Sequence, residues 1–267
     1  MTETGLRSSR TVAFRDGEIA VFELGEGPVI GYLHGMLGNP GAHPFLERLA
    51  LHHRVVAPSL PGFMPSPWRA DLRFLYDWVV ALSEVLDVTG LAGAPMVASS
   101  VGAMLALEVA AVRPEAFDRL VLLSPLGLWD DGNPVTDLFA MPSFAQREVL
   151  LDDPSRAAAF FEDDLSAPPE VALEHGVARY HTRRAAASLV WPLPDHGLAD
   201  RIHRVTCPVG VVWGEHDRFN PVLGIDLYGR ALPQWVGRKT VVAGHCLEWD
   251  APEEAALAVE ELLAKTD

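Results

Sequence analysis

Short apolar runs separated by amphipathic stretches recur along this chain, and their spacing predicts strands alternating with helices. Val29 to Leu33, Arg54 to Pro58, Pro95 to Ala98, Arg119 to Pro125 and Cys207 to Trp213 are nearly continuous apolar runs. Strands buried on both faces of a parallel sheet read this way. Lys239 to Val242 is the last predicted strand. Ahead of them, Val12 to Phe14 and Glu18 to Leu24 alternate around Asp16-Gly17, which predicts an antiparallel hairpin. Apolar residues at Leu75, Trp78, Val79, Leu82, Val85 and Leu86 have helical spacing, so a helix is predicted over 72–86. Further helices are predicted over 45–51, from near Val101 to before Pro114, over 222–232 and over 252–264. The last of these carries Glu253-Glu254 in its first turn, as the helix dipole prefers. The whole reads as an α/β fold with a mostly parallel sheet flanked by helices.

From Gly127 to about Arg201 the alternation stops. Trp129, Phe139, Phe144, Phe160, Phe161, Tyr180 and Trp191 are mixed there with prolines and the acidic run Glu162 to Asp164. This segment, 127–201, is expected to be a helical cap inserted into a core made of 1–126 and 202–267.

A length of 267 residues suits one such domain with an insertion, and 49% hydrophobic with 21% charged residues is a globular composition. The formal net charge of −15, with no cluster of Lys and Arg, argues against a nucleic-acid partner. The first seven residues lack the apolar core of a signal peptide, and no run reaches transmembrane length. A cytoplasmic location and no membrane partner are therefore expected. Cys207 and Cys246 fall at opposite ends of the predicted sheet, roughly 20 Å apart at about 3.3 Å per residue, so no disulfide is expected. His43, His52, His53, His175, His181, His196, His203 and His216 show no metal-ligand spacing. Neither metal nor cofactor is expected; the expected partner is a small-molecule substrate, and homo-oligomerisation is left open.

The candidate chemistry sits at strand ends. Ala98-Ser99-Ser100-Val101-Gly102 joins a strand to a helix as a small-residue version of the nucleophile elbow, Gly-x-Ser-x-Gly. A serine at the tip of so sharp a turn needs small residues two before and two after it. Only Ser100 has them, so Ser99 should point elsewhere. The free N–H groups of the following helix would face a developing oxyanion. At the end of another strand, His34-Gly35 lets the backbone come close, and the amide of Met36 would face the same space as that of Val101. His34 itself reads as a buried brace for its loop. Gly25-x-Gly27 precedes a strand, where a dinucleotide fingerprint would have to follow one, and is read as a turn. Asp217 and His245 follow two later strands.

The order Ser100, Asp217, His245, each after a separate strand, resembles the α/β-hydrolase superfamily over nearly the whole chain. The likeness includes His34-Gly35, the segment 54–62, the elbow at 98–102, Trp-Gly-Glu-His-Asp at 213–217, and Gly-His followed by Pro-Glu-Glu at 244–254. It implies Ser100 as nucleophile, His245 as base, Asp217 as the orienting acid, and the amides of Met36 and Val101 as the oxyanion hole. Asp130 or Asp131 is the alternative acid, because some members carry it after the strand at 119–124. Serine at the elbow sets aside the branches that use an aspartate nucleophile. The stretch His245 to Asp250 is also similar to the meta-cleavage product hydrolases, where an aromatic residue lies just beyond the histidine. Trp249 and Trp191 are accordingly candidate substrate contacts. Hydrolysis of a small, largely apolar ester is the expected reaction. Carbon–carbon hydrolysis of a ring-fission dienoate is the alternative, and would need a cation from the cap at Arg179, Arg183 or Arg184. A non-catalytic ligand-binding fold is the third reading.

Overall fold

The computed structural model describes residues 7–39, 41–156, 168–191 and 195–265. Eight strands are described: β1 (Arg7–Phe14), β2 (Gly17–Leu24), β3 (Val29–Leu33), β4 (Arg54–Pro58), β5 (Ala94–Ser99), β6 (Phe117–Leu123), β7 (Val209–Gly214) and β8 (Trp235–Val241). They form one sheet in the order β1-β2-β4-β3-β5-β6-β7-β8. The β1/β2 and β2/β4 pairs are antiparallel and the rest parallel.

Both faces of this sheet are covered, which explains the unbroken apolar runs. On one face Met96, Ala98, Leu120, Leu122, Val209 and Val211 join a cluster with α2 (Leu75–Thr89) and α3 (Ser100–Val112). On the other, Val97, Val121, Leu123 and Val212 meet α1 (Pro44–Leu49) and the C-terminal helix Pro252–Leu263. Successive residues of one strand thus enter opposite clusters, the period of two that a pleated strand imposes.

Several boundaries differ from the sequence expectation. The strand β1 begins at Arg7, earlier than expected, because an edge strand paired on one side tolerates polar residues such as Ser9, Arg10 and Thr11. The helix expected from 72 starts at Leu75, because the Asp77 carboxylate accepts the N–H groups of Arg73 and Phe74 and caps it there. It stops at Gly90, whose φ of 75° is left-handed. The helix expected over 222–232 is a 3₁₀ turn at Val222–Gly224 followed by a regular helix, Ile225–Ala231.

Between β6 and β7 lie α4 (Ser143–Leu150) and α5 (Pro169–Val190), the latter buried at Ala185, Ala186, Leu189 and Val190. Phe160, Phe161 and the acidic run 162–164 lie outside the described residues. Arg201 closes this insertion onto α3 with a two-pronged bond to the buried Glu108, at 2.8 and 2.7 Å. After β7 comes α6 (Ile225–Ala231) and then, beyond β8, α7 (Leu247–Asp250) and α8 (Pro252–Leu263). Both cysteines are buried and free. Among the described residues no helix is long and apolar enough to cross a membrane.

Candidate active site

Ser100 begins α3 directly after β5, with φ at 51°. For a residue with a Cβ this left-handed backbone costs roughly 1–2 kcal/mol and persists only where surrounding contacts impose it. Those contacts come from the end of β3. A Cβ on Gly102 would lie 2.5 Å from the carbonyl oxygen of His34, and one on Gly35 would lie 3.1 Å from both Ser100 Cβ and Ser99 Oγ. Glycine is thus needed at 102 because the neighbouring strand end abuts it, and this differs from the local Ala98 to Gly102 crowding that the spacing suggested.

Ser100, His245 and Asp217 come together from three strand ends. His245 Nε2 lies 2.7 Å from Ser100 Oγ, and His245 Nδ1 lies 2.8 Å from Asp217 Oδ2. The carboxylate can only accept, so Nδ1 carries the proton and Nε2 is left to receive that of the serine hydroxyl. Asp217 Oδ1 accepts the amides of Phe219 at 3.0 Å and Asn220 at 2.8 Å, which fixes the carboxylate. The ring of Phe219 meets His245 edge-on at 4.6 Å. All three residues are buried. Asp130 and Asp131 stand instead in a turn. Asp130 accepts from Gly132 and Asn133, and Asp131 accepts from the Trp129 indole.

Val101 lies in the first turn of α3, so the helix does not use its amide. Met36 follows Gly35 on the loop that touches the elbow. His34 is fully buried and braces this loop: its Nδ1–H donates to the Gly35 carbonyl at 2.9 Å, and its Nε2 accepts the Leu60 amide at 3.0 Å. Burial pushes its pKa down to about 4 against the opposing Gly35 bond, so it is neutral at pH 7.

A chamber of about 880 Å³ opens between α5, strands β1 and β2, and the loops after β3 and β4; Met36, beside the elbow, lines it, whereas Ser100 and His245 do not. Its walls include Phe22, Met36, Leu37, Met64, Ala178 and Trp249, with Ser59, Glu174, His175, Thr182, Arg179 and Arg183 among the polar lining. Trp249 is half-buried and stacks on His43 at 4.7 Å. Trp191 does not line this chamber; it is 56% exposed just past α5, where Leu189 and Val190 already take the buried positions. Arg179 and Arg183, one turn apart on α5, are half-buried, whereas Arg184 is exposed and lies over Trp68 at 4.1 Å. Burial first, and the charge of Arg179 second, hold the Arg183 pKa below its ordinary value.

Sequence reasoning missed Glu248, which is buried, as is His43, a histidine read from sequence only as lacking metal-ligand spacing. Burial pushes the His43 pKa down to about 3. It also missed Asp250, whose carboxylate accepts the amides of Gly244, Asp152 and Asp153 at 2.8, 2.8 and 3.2 Å. For Glu248 and Asp250 the available signal was two acids in the short stretch between His245 and the terminal helix.

A family model for the alpha/beta hydrolase fold matches residues 28–210. The chain is 29% identical over 237 residues to a 2-hydroxymuconate semialdehyde hydrolase of Pseudomonas sp. (strain CF600), covering 83% of this chain and 80% of that one. It is 25% identical over 228 residues to a pimeloyl-[acyl-carrier protein] methyl ester esterase of Aeromonas salmonicida (strain A449), covering 80% and 87%. The solved structure of a 2-hydroxy-6-oxo-6-phenylhexa-2,4-dienoate hydrolase from Rhodococcus sp. strain RHA1 matches with a TM-score of 0.71 at 20% identity, covering 97% of this chain and 100% of that one.

Proposed function

Because the chain belongs to the alpha/beta hydrolase fold family, we propose that it is a serine hydrolase working through Ser100, His245 and Asp217 on an elongated, mainly apolar acyl compound with a carboxylate. Hydrolysis of a carbon–carbon bond in a ring-fission dienoate is the reaction we favour. The observation that carries this reading is the pair Arg179 and Arg183, which line the same chamber as Met36 and Trp249. Two guanidiniums one turn apart in a mainly apolar wall suit recognition of an anionic substrate group, which a guanidinium can bind in bidentate fashion. Relatives named as 2-hydroxy-6-oxo-6-phenylhexa-2,4-dienoate hydrolases add weight.

In this reading the arginines hold the carboxylate of the ketonised substrate. Ser100 Oγ attacks the ketone carbon while His245 Nε2 takes the hydroxyl proton, and Asp217 steadies the imidazolium. The amides of Met36 and Val101 receive the tetrahedral oxyanion. When it collapses, the carbon–carbon bond breaks and its electron pair leaves with the dienoate fragment, which the arginines stabilise and the imidazolium protonates. Water, deprotonated by His245, then frees the acid from Ser100.

Ester hydrolysis is the second reading. It needs only the triad and two amides, and Glu174 on the chamber wall offsets part of the arginine charge. The test is kcat/KM for a ring-fission dienoate against a short neutral aryl ester on purified protein. We expect the dienoate to be preferred by at least about 100-fold, the order that charge-assisted recognition supplies. A preference for the neutral ester would overturn the carbon–carbon assignment. Failure of a fluorophosphonate to label Ser100 would remove the serine mechanism altogether.

A further inference from the structure

One buried acid has no part in that mechanism. Glu248 lies on α7, three residues beyond His245, and is 4% exposed. Its Oε1 accepts the hydroxyl of Ser99 at 2.9 Å and lies 3.5 Å from that of Tyr32 on β3. Ser99 immediately precedes Ser100, and α7 immediately follows the His245 loop. A side-chain bond thus joins the residue before the serine to the helix after the histidine.

We propose that Glu248 is a positioning residue, clamping the nucleophile elbow to the helix behind His245 through Ser99 and so setting the approach of Ser100 to the imidazole. This rests on the serine hydrolase reading above. The elbow needs such a clamp, since Ser100 holds a left-handed backbone and the side facing Gly35 offers it no side-chain contact to hold it. Ser99 is fixed from the other side by Glu248. A shift of a few tenths of an ångström here would lengthen the 2.7 Å contact between Ser100 and His245, and productive geometry tolerates little error.

The surroundings move the pKa of this acid upward. Burial raises the Glu248 pKa, Asp250 raises it further, and Ser99, its own backbone and His245 oppose this. Its other neighbours, Tyr32 and Cys246, are themselves kept protonated by burial. Oε2 is buried with no hydrogen-bond partner among the described residues, so a proton there displaces no bond. Glutamine keeps the Oε1 acceptor that the Ser99 hydroxyl uses.

The test compares S99A, E248L and E248Q with wild type in the intact chain, by the rate of phosphonate labelling at Ser100 and by kcat and KM. We expect S99A and E248L to lower kcat and labelling by about 10- to 100-fold with KM nearly unchanged, the scale of a small misplacement at the reacting atoms. E248Q should restore most of the loss, and S99A/E248L should be no slower than the slower single variant, as two halves of one contact require. Wild-type rates in S99A, or an E248Q as slow as E248L, would overturn the clamp. If E248L does not fold, S99A and E248Q decide alone. Hydrogen exchange gives a readout independent of turnover: the amides of Val101 and Leu247 should open faster in S99A and remain protected in E248Q. Wild type that is not labelled at all would reject the serine hydrolase reading, whereas wild type that is labelled no faster than S99A would reject only the clamp.

Discussion

A Cβ on Gly214 would lie 2.0 Å from the carbonyl oxygen of Gly244. The end of β7, which leads to Asp217, therefore touches the loop of His245 backbone to backbone. The bond from the His216 amide to the Ala243 carbonyl at 2.9 Å reinforces that contact. Gly214→Ala must push the two apart, and we expect it to lower unfolding stability by about 2 kcal/mol or more and to slow turnover. Gly132→Ala, whose nearest neighbour is the Asp130 side chain at 3.3 Å, is the control expected near wild type. Urea denaturation of both variants is the measurement, and equal midpoints would contradict the argument.

Within the triad, Ser100→Ala and His245→Ala should each lower kcat by about 10⁶-fold, and Asp217→Asn by about 10⁴-fold, since the members act as a unit and the orienting acid is the least costly. Asp130→Asn and Asp131→Asn should turn over at nearly the wild-type rate. Steady-state kinetics decide this, and collapse at 130 or 131 would move the acid.

Arg179→Gln and Arg183→Gln should each lower kcat/KM for a dienoate by about 10- to 100-fold, as loss of a charge-assisted bond does, while a neutral aryl ester is spared. Arg184→Gln should change neither, because its guanidinium lies over Trp68. Equal losses on both substrates would mean that the arginines support the fold of α5 and do not read the substrate's charge.

Two buried histidines make stability fall in mild acid. The pKa values of His34 and His43 are held at about 4 and about 3, below the unfolded value of 6.5. Their contribution is complete above pH 6.5 and is lost as pH falls toward those values, because the unfolded chain takes up the protons first. Between pH 7 and pH 5 each contributes a loss of about 2 kcal/mol. Glu248, raised in the fold, acts in the opposite sense and loses its contribution as pH rises through its folded value. In His43→Phe the difference in urea midpoint between pH 7 and pH 5 should shrink, and an unchanged difference would refute the assignment.

The buried strands and three strand-end residues were legible because a sheet covered on both faces leaves continuous apolar runs, and turns leave glycines. The start of β1 was not, since the polar run from Arg7 to Thr11 looks like a loop until its partner strand is known. Nor could the sequence tell which of three nearby arginines faces inward. Arg179 and Arg183 lie on the chamber side of α5 and Arg184 does not, and that depends on how α5 sits over the sheet. Trp249 and Trp191 were equal candidates for the same reason. Glu248 was hidden because its partner Ser99 is 149 positions away.

The carboxylate of Asp250 accepts amides from the His245 loop and from the chain leaving α4. Leu150 completes the contact by accepting the Cys246 amide at 3.0 Å. In mechanical terms, the first arm of the insertion is welded to the catalytic frame, and prising it away would break three hydrogen bonds at once. Any motion that admits a substrate while leaving this weld intact has α5 to work with, pivoting on its buried end at Ala185 to Val190. The two guanidiniums that we assign to the substrate's carboxylate sit on that same helix, so any swing of α5 would carry them with it.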